Sequence, residues 1–308
     1  MPRGLILILF TAILLISFRW GFFAHKKINQ YAVFTLPSEM MVFYKFHIDY
    51  LTSEAVRADK RRYADPKEAP RHFIDLELYP DELDSIPFYY PEAIERYSED
   101  SIASWGSLPW TLIRMKYQLT NAMSEKDEEA ILRYSADLGH YIADAHVPLH
   151  TTENYNGQLT DQHGIHGFWE SRLPELFFDE YDLLTGKSEY IEDTPAFFRK
   201  IIRESHQAVD SVLTFEKELT EQRPKDEKYA YEERGNRSVK VYSQKFSSKY
   251  HEMLSGMVER RLRSSIKAVG DIWYTCWIDA GQPDLVPTKK ISSSLIRDSY
   301  DPPGKDEN

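Results

Sequence analysis

The chain carries one cysteine, Cys276, in 308 residues. No intrachain disulfide can form, and a four-cysteine zinc site is excluded. Any metal ion must be held by His, Asp, Glu or backbone groups. Basic charge is also scarce: 38 Lys and Arg stand against 49 Asp and Glu, for a formal net charge of −11. Such a surface is not coated for general duplex binding, which needs a basic face for the phosphates. A polyanion can still be held through metal ions, whose charge dominates locally. Long hydrophobic runs are missing except at the start, where Leu5 to Phe18 carries no charge. Alternating strand patterns are scarce, no internal repeat is visible, and no proline lies between Pro224 and Pro283.

The N-terminal run follows one basic residue, Arg3. It fits a secretory signal peptide over residues 1–19 and is short for a membrane span, which wants about 20 residues. Ser17 suits a cleavage site, whereas Arg19 at the last removed position is atypical. The expectation is export to a periplasmic or extracellular space, with a membrane anchor left by an uncleaved segment as the alternative.

Beyond residue 20, helix patterns dominate. Leu36-Pro37-Ser38-Glu39 reads as a helix start, with apolar spacing continuing to Leu51. Residues 58–107 read as loops with short helices. Helices are expected over Trp110–Met123, Asp127–His146 (stopped by Pro148), His166–Glu180 and Thr194–Thr220. Leu254, Val258, Leu262 and Ile266 recur at four-residue steps and mark a C-terminal helix. The expected fold class is all-α: a single multi-helix domain over 20–286, followed by a disordered tail over 287–308.

What the chain does have is a concentration of histidine. Gly139-His-Tyr-Ile-Ala-Asp-Ala-His-Val-Pro-Leu-His150 packs three histidines and an aspartate into twelve residues. His140 and Asp144 are four apart on a helix and so share one face. Both can reach one ion at roughly 2.0–2.2 Å. Pro148 ends the helix and turns His150 onto the following segment. A second pair, His166 and Glu170, repeats the spacing in His-Gly-Phe-Trp-Glu. A lone buried histidine usually satisfies one hydrogen bond, but two helical His-x-x-x-carboxylate pairs across a short loop point to metal. His146 falls off the His140 face and is expected to pack or to support a ligand; His163 has no clear partner in the pattern.

The pattern His-x-x-x-Asp-x-x-x-Pro-Leu-His followed by His-x-x-x-Glu resembles the superfamily of bacterial zinc-dependent phospholipase C and the single-strand-specific zinc nucleases. Upstream, Trp20-Gly-Phe-Phe-Ala-His25 is similar to the nucleases' mature N-terminus. Ala58-Asp59-x-x-Arg62 resembles the nuclease Ala-Asp-x-x-Arg, and Arg71-His72-Phe73-Ile74-Asp75 resembles the next ligand block of both branches. The match spans residues 20 to 170, about half of the chain.

The resemblance implies three zinc ions. One would use Asp59, His72, His140 and Asp144. Another would use the Trp20 amine and carbonyl, His25 and the second oxygen of Asp144. The third would use His150, His166 and Glu170. Asp65 competes with Asp59 for its place, and Asp65 alone reads as a turn residue before Pro66. A ligand set of oxygen and imidazole without thiolate suits catalytic zinc. The resemblance further implies a hydrolase that cleaves phosphodiesters with a zinc-activated hydroxide. Asp59 and Arg62 are the catalytic candidates, Arg62 holding charge on the phosphoryl oxygens. Phe73 and Asp75 match positions that stack and bond a base in the nuclease branch.

Glu170 and the short loop between His150 and His166 look phospholipase-like. Phe23, Lys60 and Ala69 stand where a choline pocket needs acidic and aromatic groups. The expected substrate is therefore single-stranded nucleic acid or a nucleotide, with phospholipid as the alternative. A zinc-binding, membrane-anchored protein without turnover is the alternative from another class. No protein partner is implied.

Overall fold

The computed structural model describes residues 22–234 and 237–291. Residues 1–21, with the expected signal peptide and Trp20, and residues 292–308 of the expected tail lie outside them.

Near the N-terminus stand α1 (Phe22–Ala32), α2 (Ser38–Phe46), α3 (Ile48–Glu54) and α4 (Arg57–Arg61). The helical run expected to reach Leu51 is interrupted at His47, whose backbone (φ −103°, ψ 16°) separates α2 from α3. Residues 62–89 are mostly turns and short 3-10 segments. The chain then continues through α5 (Tyr90–Tyr97), α6 (Glu99–Trp105), α7 (Leu108–Glu125) and α8 (Glu128–Ala145). Lys126 adopts a left-handed conformation (φ 55°) that ends α7. Asp127 starts α8 by accepting the Ala130 amide at 3.1 Å, satisfying one of the orphan donors of the first turn. This tight connection sets α7 and α8 side by side.

After α8 come α9 (Ile165–Gly167), a π-helical turn (Phe168–Arg172) and α10 (Leu173–Phe177), which follow one another without a break. The expected long stretch from Thr194 divides at Ala208 into α11 (Thr194–Gln207) and α12 (Val209–Gln222). A short α13 (Lys225–Lys228) leads to two strands, β1 (Tyr229–Arg234) and β2 (Arg237–Tyr242), before α14 (Gln244–Met253) and α15 (Met257–Asp279). The strands pair antiparallel, with Tyr229 opposite Tyr242 and Tyr231 opposite Lys240. Among the described residues the architecture is mostly helical, in keeping with the all-α expectation, with one two-stranded sheet over residues 229–242 that the helix patterns did not announce.

α8 is the axis of the core. It is buried nearly all round, from Ala130 to Ala145, and α1, α3, α7 and α15 pack against it. A helix with so little polar face is held inside by its neighbours rather than by propensity. Trp273 of α15 is fully buried and donates its indole N–H to the Ser135 carbonyl of α8 at 3.2 Å. The Ser135 hydroxyl also meets Tyr44 Oη at 2.9 Å. After α15, Leu285 and Ile291 are buried and Thr288 bonds Glu128 at the start of α8. Residues 287–291 of the expected disordered tail are thus packed on the body. No helix of the described residues is long and apolar enough to cross a membrane.

Gly139 fixes how closely α1 approaches α8. A Cβ there would lie 2.0 Å from Oδ1 of the fully buried Asn29. Asn29 donates to the Ala136 carbonyl at 3.1 Å and to the Leu51 carbonyl at 3.4 Å, joining α1, α8 and α3. Gly139→Ala is expected to destabilise the fold by about 1–3 kcal/mol through overpacking, read as a lower midpoint of thermal unfolding. An unchanged midpoint would show that the two helices do not meet at this point.

Candidate metal centre

The close approach at Gly139 matters because the next residue is His140. Its ring stacks on that of His25 from α1, centroids 4.1 Å apart. One turn on, Asp144 completes the same face of α8, and both residues are almost wholly buried. His72 arrives from the 3-10 segment Ala69–His72, Asp59 from α4, and His150 from the 3-10 segment Pro148–Thr151 that follows Pro148. His166 and Glu170 come from α9 and the π-helical turn. Single π turns often mark functional positions, and here Glu170 sits inside one.

The donor atoms fall into three groups: His25, His140 and Asp144; Asp59, His72 and His140; and His150, His166 and Glu170. Asp144 Oδ2 is 2.9 Å from His72 Nδ1 and 3.2 Å from His140 Nε2. Its other oxygen, Oδ1, is 3.4 Å from His25 Nε2 and 3.8 Å from His150 Nε2. Asp59 Oδ1 stands 3.9 Å from both His72 Nδ1 and His140 Nε2. Glu170 Oε2 lies 2.9 Å from His166 Nε2 and 3.8 Å from His150 Nε2, while Oε1 reaches His25 Nε2 at 3.1 Å. Two ligands about 2.0–2.1 Å from a tetrahedral ion are roughly 3.3 Å apart, so these separations suit donors gathered around shared cations.

Outward hydrogen bonds aim the rings. His140 Nδ1 donates to the Ala55 carbonyl at 2.8 Å and His166 Nδ1 to the Tyr155 carbonyl at 3.1 Å. Each then presents Nε2 to the cluster, as a ligating histidine requires. Behind His72, Glu68 is fully buried, with Oε1 3.5 Å from His72 Nε2. Glu68 accepts from Arg71 at 2.7 Å, from Arg61 at 3.2 Å, and from Tyr141. Arg61 and Arg57 in turn hold Asp137 of α8 at 2.9 and 2.8 Å. A buried carboxylate needs such pairing, and this network anchors the His72 segment to α8.

Three carboxylates and five imidazoles in so small a space demand positive charge. Burial alone would lower the His140 pKa, but the Asp144 carboxylate, helped by Asp59, overrides it and raises it to about 10. His72 and His166 move upward for the same reason, against burial, through Asp144 and Glu170. Burial would raise Asp144 and Glu170, yet the facing histidines hold both well below the carboxylate range. His146 behaves differently: burial and then Arg261 push it down to about 3, and its Nδ1 bonds its own helix at Ile142. It is a neutral packing residue, in keeping with its place off the ligand face. His163 is exposed beside the cleft and joins none of the three groups.

The structure thus gathers His25, Asp59, His72, His140, Asp144, His150, His166 and Glu170. Asp65 joins none of the groups; its carboxylate accepts the Lys67 amide at 2.9 Å, a local turn bond. Trp20 lies outside the described residues. Arg62 lines the cleft above the cluster, with Nη1 3.7 Å from Asp59 Oδ1. Phe73 and Asp75 line the same cleft, which encloses about 830 Å³. The residues missed in the sequence are Glu68 and the far wall of the cleft: Tyr229, Val239, Lys240, Val241 and Tyr242. The alternation Ser-Val-Lys-Val-Tyr after Gly235-Asn236 is a strand-and-turn signal that would have found that wall. Set against known proteins, the chain matches no family model and has no significant match among curated proteins.

The titration directions predict how the metal-free protein responds to pH. The raised His140 pKa contributes stability that is full below about 6.5 and fades as pH climbs toward about 10. The lowered Asp144 and Glu170 values contribute above the carboxylate range, and that part is lost in acid. A cation bound there would displace the protons on these histidines. Loading the metal-free protein with zinc at pH 7 should therefore release on the order of two protons, measured by calorimetry in buffers of different ionisation enthalpy. Zinc uptake with no proton release would contradict the charge arrangement given above.

Proposed function

We propose that this chain is a zinc-dependent hydrolase of phosphodiester bonds, of the zinc-dependent phospholipase C and single-strand nuclease type, acting on single-stranded nucleic acid or nucleotides. The observation that carries the reading is the Asp144 carboxylate. One oxygen faces His72 and His140 while the other faces His25 and His150, the arrangement that lets a carboxylate serve two ions at once. The donor chemistry, imidazole and carboxylate without thiolate, fits zinc at an open catalytic site. Zinc bound there would supply a nucleophile at neutral pH by lowering the pKa of water, and would offset charge on the phosphoryl oxygens.

The chain's own groups do the rest. Asp59, His72, His140 and Asp144 would hold one ion, and His25 with Asp144 would begin a second, which the resemblance would complete with the Trp20 amine and carbonyl of an exported, processed chain. His150, His166 and Glu170 would hold the third. Arg62, beside Asp59 on the cleft wall, would pair with the equatorial phosphoryl oxygens, where its planar fork favours a bidentate contact. Phe73 offers a ring to a base. Asp75, almost buried, has its carboxyl pushed up to about 7 by burial and by Glu77 and Glu153. It can therefore donate or accept near neutral pH. A phospholipid remains the second reading, because Leu149, Val239 and Val241 give the cleft an apolar side.

Purified protein should release product from single-stranded DNA, RNA or 3'-nucleotides in a chelator-sensitive way, restored by zinc. Arg62→Ala should lower kcat by about 10²-fold, the usual scale for one charge-stabilising donor, with less effect on KM. If the Asp75 carboxylate accepts from the base, KM rises as pH falls below about 7, and Asp75→Asn removes that limb. Release from phospholipids only would move the assignment to the second reading. No chelator-sensitive product from either class would defeat the hydrolase and favour a zinc-binding protein without turnover.

A further inference from the structure

The two-stranded sheet carries residues that the proposed reaction has not used. It is locked to the ligand-bearing turn at two points. The Phe168 ring, two residues from both His166 and Glu170, stacks on Tyr242 with centroids 3.7 Å apart and planes within 7°. Arg172, two residues past Glu170, grips the Glu232 carboxylate with both terminal nitrogens, one at 3.1 Å. The strands are therefore a fixed wall of the cleft, set against the metal ligands by stacking and a two-point ion pair.

On that wall Lys240 is exposed and lines the cleft. Its ammonium sits 3.7 Å from the centroid of the Tyr229 ring, which fixes the position of the charge. Among the described residues it forms no ion pair. This sets it apart from Arg172, which is spent on Glu232, and from Lys228, which is paired with the buried Glu216 at 2.8 Å. The same cleft is lined by the carboxylates of Asp59, Asp75, Asp144 and Glu170. A positioned cation lining the cleft that would hold phosphate through metal ions can offer a second contact to an anionic substrate.

Resting on the reading given under Proposed function, we infer that Lys240 binds a second phosphate of the substrate, next to the one being cut. The favoured substrate is then an oligonucleotide strand rather than a substrate with a single phosphate. Tyr229 positions the lysine, and Lys240 acts on binding rather than on the chemical step.

The test compares zinc-loaded wild type, Lys240→Ala, Lys240→Arg and Lys217→Ala, an exposed lysine on α12 away from the cleft. Each is assayed on a short single-stranded oligonucleotide and on a 3'-mononucleotide. Lys240→Ala should raise KM for the oligonucleotide by roughly threefold to fivefold, as for one exposed ion pair, and leave kcat and the mononucleotide KM unchanged. The slope of log affinity against log salt should fall by about 0.7 for the oligonucleotide. Lys240→Arg should restore both values, and Lys217→Ala should match wild type. Equal effects on the two substrates, or none, would overturn the inference while leaving the hydrolase reading intact. Absence of chelator-sensitive turnover on either substrate in wild type would instead overturn that reading, and the inference with it.

Discussion

The arrangement of this protein depends on one buried carboxylate and the charges that must surround it. Asp144 is almost wholly buried near the C-terminal end of the central helix, where an unpaired charge would cost several kcal/mol. Four histidines from four separate segments come within reach of its two oxygens. Those segments are otherwise unrelated in sequence: the first helix, the 3-10 turn at His72, α8 itself and the turn after Pro148. Satisfying Asp144 thus draws the N-terminal helix, the region before α5 and the post-proline turn onto one helix end. Stability and site are the same set of contacts, and the glycine at 139 is the steric condition that lets α1 come close enough to take part.

Around this centre the protein separates rigid support from open surface. Behind His72, the buried Arg57, Glu68, Tyr141 and Asp137 and the part-buried Arg61 form a network that joins charged groups of both signs. Such networks are costly when half satisfied and stiff when complete. In front, Arg62, Phe73, Asp75, Tyr155 and the strand residues frame a cleft of about 830 Å³. The neighbouring residues Arg61 and Arg62 divide the two tasks. Arg61 turns inward to hold Asp137 and Glu68, while Arg62 turns toward the cleft.

Much of the cluster was legible in the sequence, because the helical repeat decides which residues share a face. His140 with Asp144, and His166 with Glu170, are helical neighbours by arithmetic alone. The resemblance to zinc phosphodiesterases supplied His25, Asp59 and His72, which spacing could not link across some 115 residues of chain. Glu68 was not legible: in Pro-Lys-Glu-Ala-Pro it looks like any loop carboxylate, and only the fold brings Tyr141 and Arg61 to it. The two strands were missed for another reason. Helix patterns on either side suggested continuity, and a short, partly charged strand pair without a fully buried face gives a weak period-2 signal. The break at His47 and the division at Ala208 escaped notice because the apolar stripe continues across them; tertiary packing, not propensity, sets those boundaries.

The most direct measurement is anomalous diffraction at the zinc absorption edge from crystals of protein purified without added metal. The account predicts peaks at the Asp144 cluster, two of them roughly 3.5–4 Å apart, and a further peak bounded by His150, His166 and Glu170. A map with no anomalous density there, and with the histidines bonded directly to Asp144 and Glu170, would contradict it.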